Sequence, residues 1–162
     1  MQNAHTAFGK IDLALTRWMA QHGITLLRIS LGVIFFWFGV LKFFPGLSPA
    51  QDLAARTIGA MSFGLLSASI SLPVLAAWEC LIGLGFITGK FMRATLLLLV
   101  MQMAGTLTPL LLFPSETFTQ FPIAPTLEGQ YIIKNMVLIA SGLVIGATVR
   151  GGYLLAQPGD CR

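Results

Sequence analysis

Seven polar side chains stand inside or at the edges of otherwise apolar runs, and any chemistry in this chain begins with them. They are Arg28, Lys42, Glu79, Gln102, Glu128, Lys134 and Asn135. An ionisable group in such surroundings is costly to desolvate, so each one calls for a partner and marks a functional hypothesis. Glu79 is the only acidic residue well inside an apolar run. Its carboxylate can hold an ion pair, bind a ligand or carry a proton. Arg28, Lys42 and Lys134 are the candidate partners. Arg28 is favoured, because a guanidinium suits a buried carboxylate in a bidentate pair better than an ammonium does. Lys42, Lys134 and Glu128 predict a second polar cluster. The competing reading is that these charges only set helix register and packing, and that Lys42 snorkels to water.

The remaining reactive side chains offer less. His5 and His22 have no second ligand at metal spacing, so neither a metal nor a haem site is expected. Cys80 lies in an apolar run and Cys161 near the end of the chain, with no CxxC pair; unpaired thiols are expected. Trp18 reads as an interfacial anchor, and Trp37 and Trp78 as packing residues.

The elements that position these residues follow from composition. Hydrophobic residues make up 56% of the 162 and charged residues only 10%, against about 25% charged in a soluble domain. Too little polar surface remains to coat a water-soluble globule. A spanning helix needs roughly 20 mostly apolar residues. Four stretches qualify: Ile24 to Phe44, Ile70 to Thr88, Ala94 to Phe113 and Tyr131 to Val149. Bare backbone amides cannot face lipid, so the form is helical. The expectation is an all-α integral membrane four-helix bundle, a single membrane domain over 1–162. Ser48, Pro49 and Gln51 read as a helix start, predicting a short amphipathic interfacial helix over about 49–59 between spans one and two. The run from Ile24 is too long for a cleavable leader's apolar region.

Ten Lys and Arg stand against six Asp and Glu. The basic residues are scattered and form no stripe, which argues against a nucleic-acid partner. Lys10 and Arg17, Lys90 and Arg93, and Arg150 and Arg162 flank alternate span ends, whereas the connection 114–130 has no Lys or Arg. This bias places both termini in the cytoplasm. Helical spacing groups Arg28, Phe35 and Lys42 with Gly32 and Gly39 on one stripe of span one, a face suited to the bundle interior. Glu79, Gly83 and Phe86 form a comparable stripe on span two, and Gln102, Gly105, Thr106 and Pro109 on span three. Gly142 and Gly146 have GxxxG spacing in span four.

The run Leu27-Arg28-Ile29-Ser30-Leu31-Gly32, continuing to Phe38-Gly39-Val40-Leu41-Lys42-Phe43, resembles the first helix of the DoxX-like superfamily. Trp78-Glu79 with Ile82-Gly83 and Gly89 resembles its second, and Thr108-Pro109 its third. Glu128-Gly129-Gln130-Tyr131-Ile132-Ile133-Lys134-Asn135 is similar to the YkgB (RclC-type) branch. The resemblance implies a four-helix bundle in a bacterial inner membrane. It further implies links to quinone-coupled sulfur oxidation as a membrane subunit, or to redox and reactive-chlorine stress.

Three functions are then in competition. The first is a redox-associated protein that binds a quinone, or a partner oxidoreductase. In it Arg28, Glu79 and Lys134 bond the head group, and an aromatic lining of Phe35, Trp37 and Trp78 supports the ring. The second is a small transporter or proton conductor working through Glu79. The third is a structural or assembly subunit, alone or as a homo-oligomer.

Overall fold

The computed structural model describes residues 2–44, 46–48 and 51–152, with side chains from Phe8 onward. Cys161, Arg162 and the Pro49 helix start lie outside the described residues.

No proline interrupts the chain before Leu41, and α1 (Gln2–Leu41) is accordingly one continuous helix of 40 residues. At 1.5 Å per residue it is about 60 Å long, twice the roughly 30 Å of a bilayer core. Its apolar second half is therefore long enough to cross alone, and the half bearing Lys10, Asp12 and Arg17 runs on beyond. After a tight turn comes α2 (Gln51–Met61), whose Gln51 Oε1 accepts from the Gly46 N–H at 3.1 Å. Leu53 and Thr57, one turn apart, are buried, so α2 packs into the bundle rather than only lying on a surface.

Helix α3 (Ala68–Thr88) starts two residues before the expected span. It ends at Gly89, whose positive φ of 70° lets its N–H close on the Gly85 carbonyl. The turn through Lys90 leads to α4 (Met92–Leu107). Pro109 has no N–H to continue the ladder, so the expected single third span is offset at Thr108 into α4 and α5 (Pro109–Leu112). A short α6 (Pro114–Thr117) follows, then a two-stranded antiparallel hairpin of β1 (Phe118–Gln120) and β2 (Ala124–Pro125). The fourth span begins at Leu127 rather than Tyr131 and is also broken, into α7 (Leu127–Ile133) and α8 (Asn135–Thr148), with Lys134 at the joint.

Four helical stretches are long and apolar enough to cross a membrane: Phe8–Leu41, Ala68–Thr88, Met92–Leu112 and Leu127–Thr148. Large apolar side chains cover their outer faces, among them Val33, Trp37, Leu81, Leu97, Val137 and Leu143. A face of this extent suits hydrocarbon and not water. Inside, Leu31, Phe35, Ile82, Phe86, Leu99, Met103 and Ile145 form the core. The result is the all-α membrane bundle expected.

Glycine determines how closely the helices approach. A Cβ on Gly83 of α3 would stand 2.5 Å from the backbone nitrogen of Phe36, and one on Gly39 of α1 would stand 2.9 Å from the backbone nitrogen of Cys80. Helices α1 and α3 therefore touch backbone to backbone, the packing that small residues allow in membranes. The GxxxG pair is also used internally, since Gly142 receives the Leu99 side chain of α4.

Candidate functional site

The close approach at Gly39 sets Lys42 beside Glu79. Lys42 Nζ lies 2.6 Å from Glu79 Oε2, with the two side chains 12% and 10% exposed. Gln102 Nε2 of α4 donates to Glu79 Oε1 at 3.0 Å. Both carboxylate oxygens are thus held, by an ammonium on one side and an amide on the other. Three elements meet at one acid.

This overturns the favoured Arg28–Glu79 pair. Helices α1 and α3 run antiparallel, and their register sets Arg28 against Gly89. That level is ten residues, or about 15 Å, along α3 from Glu79. Arg28 instead donates to the carbonyls of Phe86 and, at 3.1 Å, Ile87. These are last-turn carbonyls with no intrahelical partner, at the negative end of the helix dipole. Lys42, for its part, does not snorkel; its ammonium points inward to the pair.

The second cluster of Lys42, Lys134 and Glu128 does not form. Lys42 is engaged by Glu79. Lys134 is exposed, with its Nζ 3.9 Å from the Tyr131 ring centroid, and Glu128 is exposed in the first turn of α7. Asn135 is 8% exposed, directly after the α7–α8 break. The aromatic lining also needs correction. Trp37 is 65% exposed on the outer face, and Phe35 is buried in the apolar core. Trp78 packs against that core and donates its indole N–H to the Leu98 carbonyl at 3.2 Å.

Beside the pair is a cavity of about 410 Å³. Lys42, Glu79, Gln102 and Thr106 supply its polar wall, and Leu53, Thr57, Ile58 and Met61 of α2 form its roof. The roof was legible as an amphipathic helix, with Leu53, Thr57 and Met61 at four-residue spacing, but not as part of a site. Hydroxyls on the wall are satisfied locally: Thr57 donates to the Leu53 carbonyl and Thr106 to that of Gln102.

A second ion pair, absent from the expectations above, ties down the roof. Arg56 of α2 grips Glu116 of α6 through both oxygens, at 2.7 and 2.5 Å. Asp52 adds a contact at 3.2 Å, one turn back on α2, and Phe113 lies under the guanidinium, 5.5 Å from its centre. The Arg56 hydrogen bond holds the Glu116 carboxyl below its usual range, and Glu116 in turn raises Arg56. A lowered carboxyl stabilises above its unfolded value, about 4.3, and that contribution is lost as pH falls through the folded value. The protection of α2 amides, that is, their exchange rate relative to the intrinsic rate at each pH, should therefore be highest near neutral pH and fall below about pH 4. Glu116→Gln should exchange faster at neutral pH and lose most of the acid dependence.

Fold and site together define a polytopic membrane protein, a helical bundle with a roofed, largely apolar cavity that has one polar wall. The chain belongs to the DoxX family, whose family model matches residues 23–113. That stretch carries the Lys42–Glu79–Gln102 contacts, the roof and most of the cavity wall. No curated protein and no solved structure matches the chain.

Proposed function

We propose that this DoxX-family protein binds a neutral, quinone-like lipophile in the cavity beneath α2, as an accessory subunit to a membrane oxidoreductase. The observation that carries the reading is the charge balance of the polar wall. Lys42 and Glu79 cancel one another, so an anionic head group would meet the carboxylate and a cationic one the ammonium. A neutral head group meets neither penalty. An ammonium has three N–H donors, and Glu79 takes one, leaving donors for a carbonyl oxygen. With Gln102 Nε2 bonded to Glu79, its Oε1 is turned away and can accept from the hydroxyl of a reduced ring. One wall thus serves both redox states.

Similarity to the YkgB (RclC-type) branch agrees with a role in redox stress. Lys10, Arg17, Lys90, Arg93 and Arg150 flank the end of the bundle opposite α2, and the positive-inside bias then puts the termini in the cytoplasm of a bacterial inner membrane. The cavity would open on the outer half of the bilayer. Proton conduction is the weaker reading, because both oxygens of Glu79 are already engaged.

The test is to purify the protein in mild detergent and identify co-extracted lipophiles by mass spectrometry. Wild type should carry a quinone near one per chain, and Glu79→Gln and Gln102→Leu should lose most of it. Phospholipid alone in all three, together with no thermal shift on adding decylubiquinone, would sink the reading.

A further inference from the structure

A second cleft of about 290 Å³, lined by residues of α2, α3 and α4, adjoins the cavity. Ile58, Leu66, Leu75, Met101 and Gln102 line both, so the two spaces adjoin along a shared wall. Ser71 lines the second cleft and not the first cavity, together with Val74 and Trp78. It is 4% exposed, and its Oγ has no hydrogen-bond partner among the described residues.

That hydroxyl departs from its neighbours' behaviour. A serine or threonine inside a helix ordinarily donates to a carbonyl one turn back. Thr57, Thr88, Thr106, Thr108 and Ser141 all do so here. The equivalent carbonyl for Ser71 is that of Ser67, which already accepts from the N–H groups of Ile70 and Ser71, at 3.1 and 2.9 Å. A buried hydroxyl left in this way retains its full desolvation cost, which a ligand oxygen would relieve.

We propose that Ser71 is a second anchor for the ligand, and that the site selects a ring with two oxygens at opposite ends. This rests on the quinone-like reading above and makes it more specific. Gln102 is at the junction of the two spaces, with Lys42 and Glu79 on one side and Ser71 on the other. Ser71 is eight residues before Glu79 on α3, an axial rise of about 12 Å, and Gln102, which bonds Glu79, lines both spaces. A flat six-membered ring with para oxygens, plus a hydrogen bond of about 2.8 Å at each end, covers a separation of that order. One oxygen is then held by Lys42 and Gln102, and the other by Ser71. A serine hydroxyl donates to a carbonyl and accepts from a hydroxyl, so it holds the oxidised and reduced rings alike. A phospholipid acyl chain would fill the same apolar cleft without using Ser71.

The experiment uses the delipidated full chain in detergent and two probes, decylubiquinone and 4-decylphenol, the second having one ring oxygen. Ser71→Ala should bind decylubiquinone about tenfold more weakly than wild type, the effect of one lost hydrogen bond. The same variant should bind 4-decylphenol as wild type does. Without ligand its melting temperature should equal or exceed that of wild type, because the unpaired hydroxyl is gone; a merely structural serine would lower it. Ser71→Thr should restore decylubiquinone binding. Equal decylubiquinone affinity in wild type and Ser71→Ala overturns the anchor and leaves the quinone-like reading standing. Failure of decylubiquinone to bind wild type overturns both.

Discussion

Lys42→Met is expected to destabilise the protein by about 3–5 kcal/mol, the cost of stranding one charge of a buried pair. The ammonium is 2.6 Å from Glu79 Oε2, and both side chains are nearly hidden. Removing it leaves Gln102 as the only partner holding a carboxylate in low dielectric. Glu79→Gln should cost less than Lys42→Met, because the lysine has a flexible stem that can carry its charge back to water. The double variant Lys42→Met, Glu79→Gln should recover most of the loss, since well-packed neutral replacements of buried pairs are often near neutral. Thermal unfolding of all four proteins in one detergent gives the coupling energy directly. A Lys42→Met cost below about 1 kcal/mol would mean that the pair behaves as a surface pair, and the charge-balanced cavity would lose its basis.

Gly83→Ala should cost about 1–3 kcal/mol by overpacking, although alanine is the better helix former. The new methyl would stand 2.5 Å from the Phe36 nitrogen and 2.7 Å from its Cα. Backbone cannot rotate away as a side chain can, so α1 and α3 must separate, and the Lys42–Glu79 contact depends on their spacing. Gly23→Ala is the control. A Cβ there meets nothing within 4 Å, and the same change should stabilise by roughly 0.5–1 kcal/mol through the unfolded chain. Opposite signs for one substitution in two helices would isolate interhelical contact as the cause. Equal signs would refute the backbone-to-backbone account of this interface.

Much of the fold was legible because a bilayer imposes a simple rule on composition. Runs of about 20 apolar residues must be helices, and such runs are visible without any knowledge of contacts. The stripe of Arg28, Gly32, Phe35, Gly39 and Lys42 follows from helical periodicity alone, since residues three or four apart share a face. Gly32, Phe35 and Gly39 are indeed buried on it. The breaks at Thr108 and Lys134 were harder to see. Pro109 signals the first, but nothing so plain in the sequence marks the second.

Which charge meets which was decided by tertiary structure. Periodicity assigns a residue to a face and leaves open its level against the next helix. The glycine contacts at Gly39 and Gly83 set that level, and one consequence is that Lys42, not Arg28, reaches Glu79. Arg56 and Glu116 are 60 residues apart, and neither sits in an apolar run, so desolvation gave no reason to pair them. The orphaned Ser71 is likewise invisible in sequence, because whether a hydroxyl is satisfied depends on carbonyls that other groups have already taken. Composition and period determined that this chain is a membrane bundle and that the glycine stripe of α1 turns inward, but not that Trp37 and Lys134 face outward. Register, set by backbone contact at glycine, determined the site that the inward side chains build.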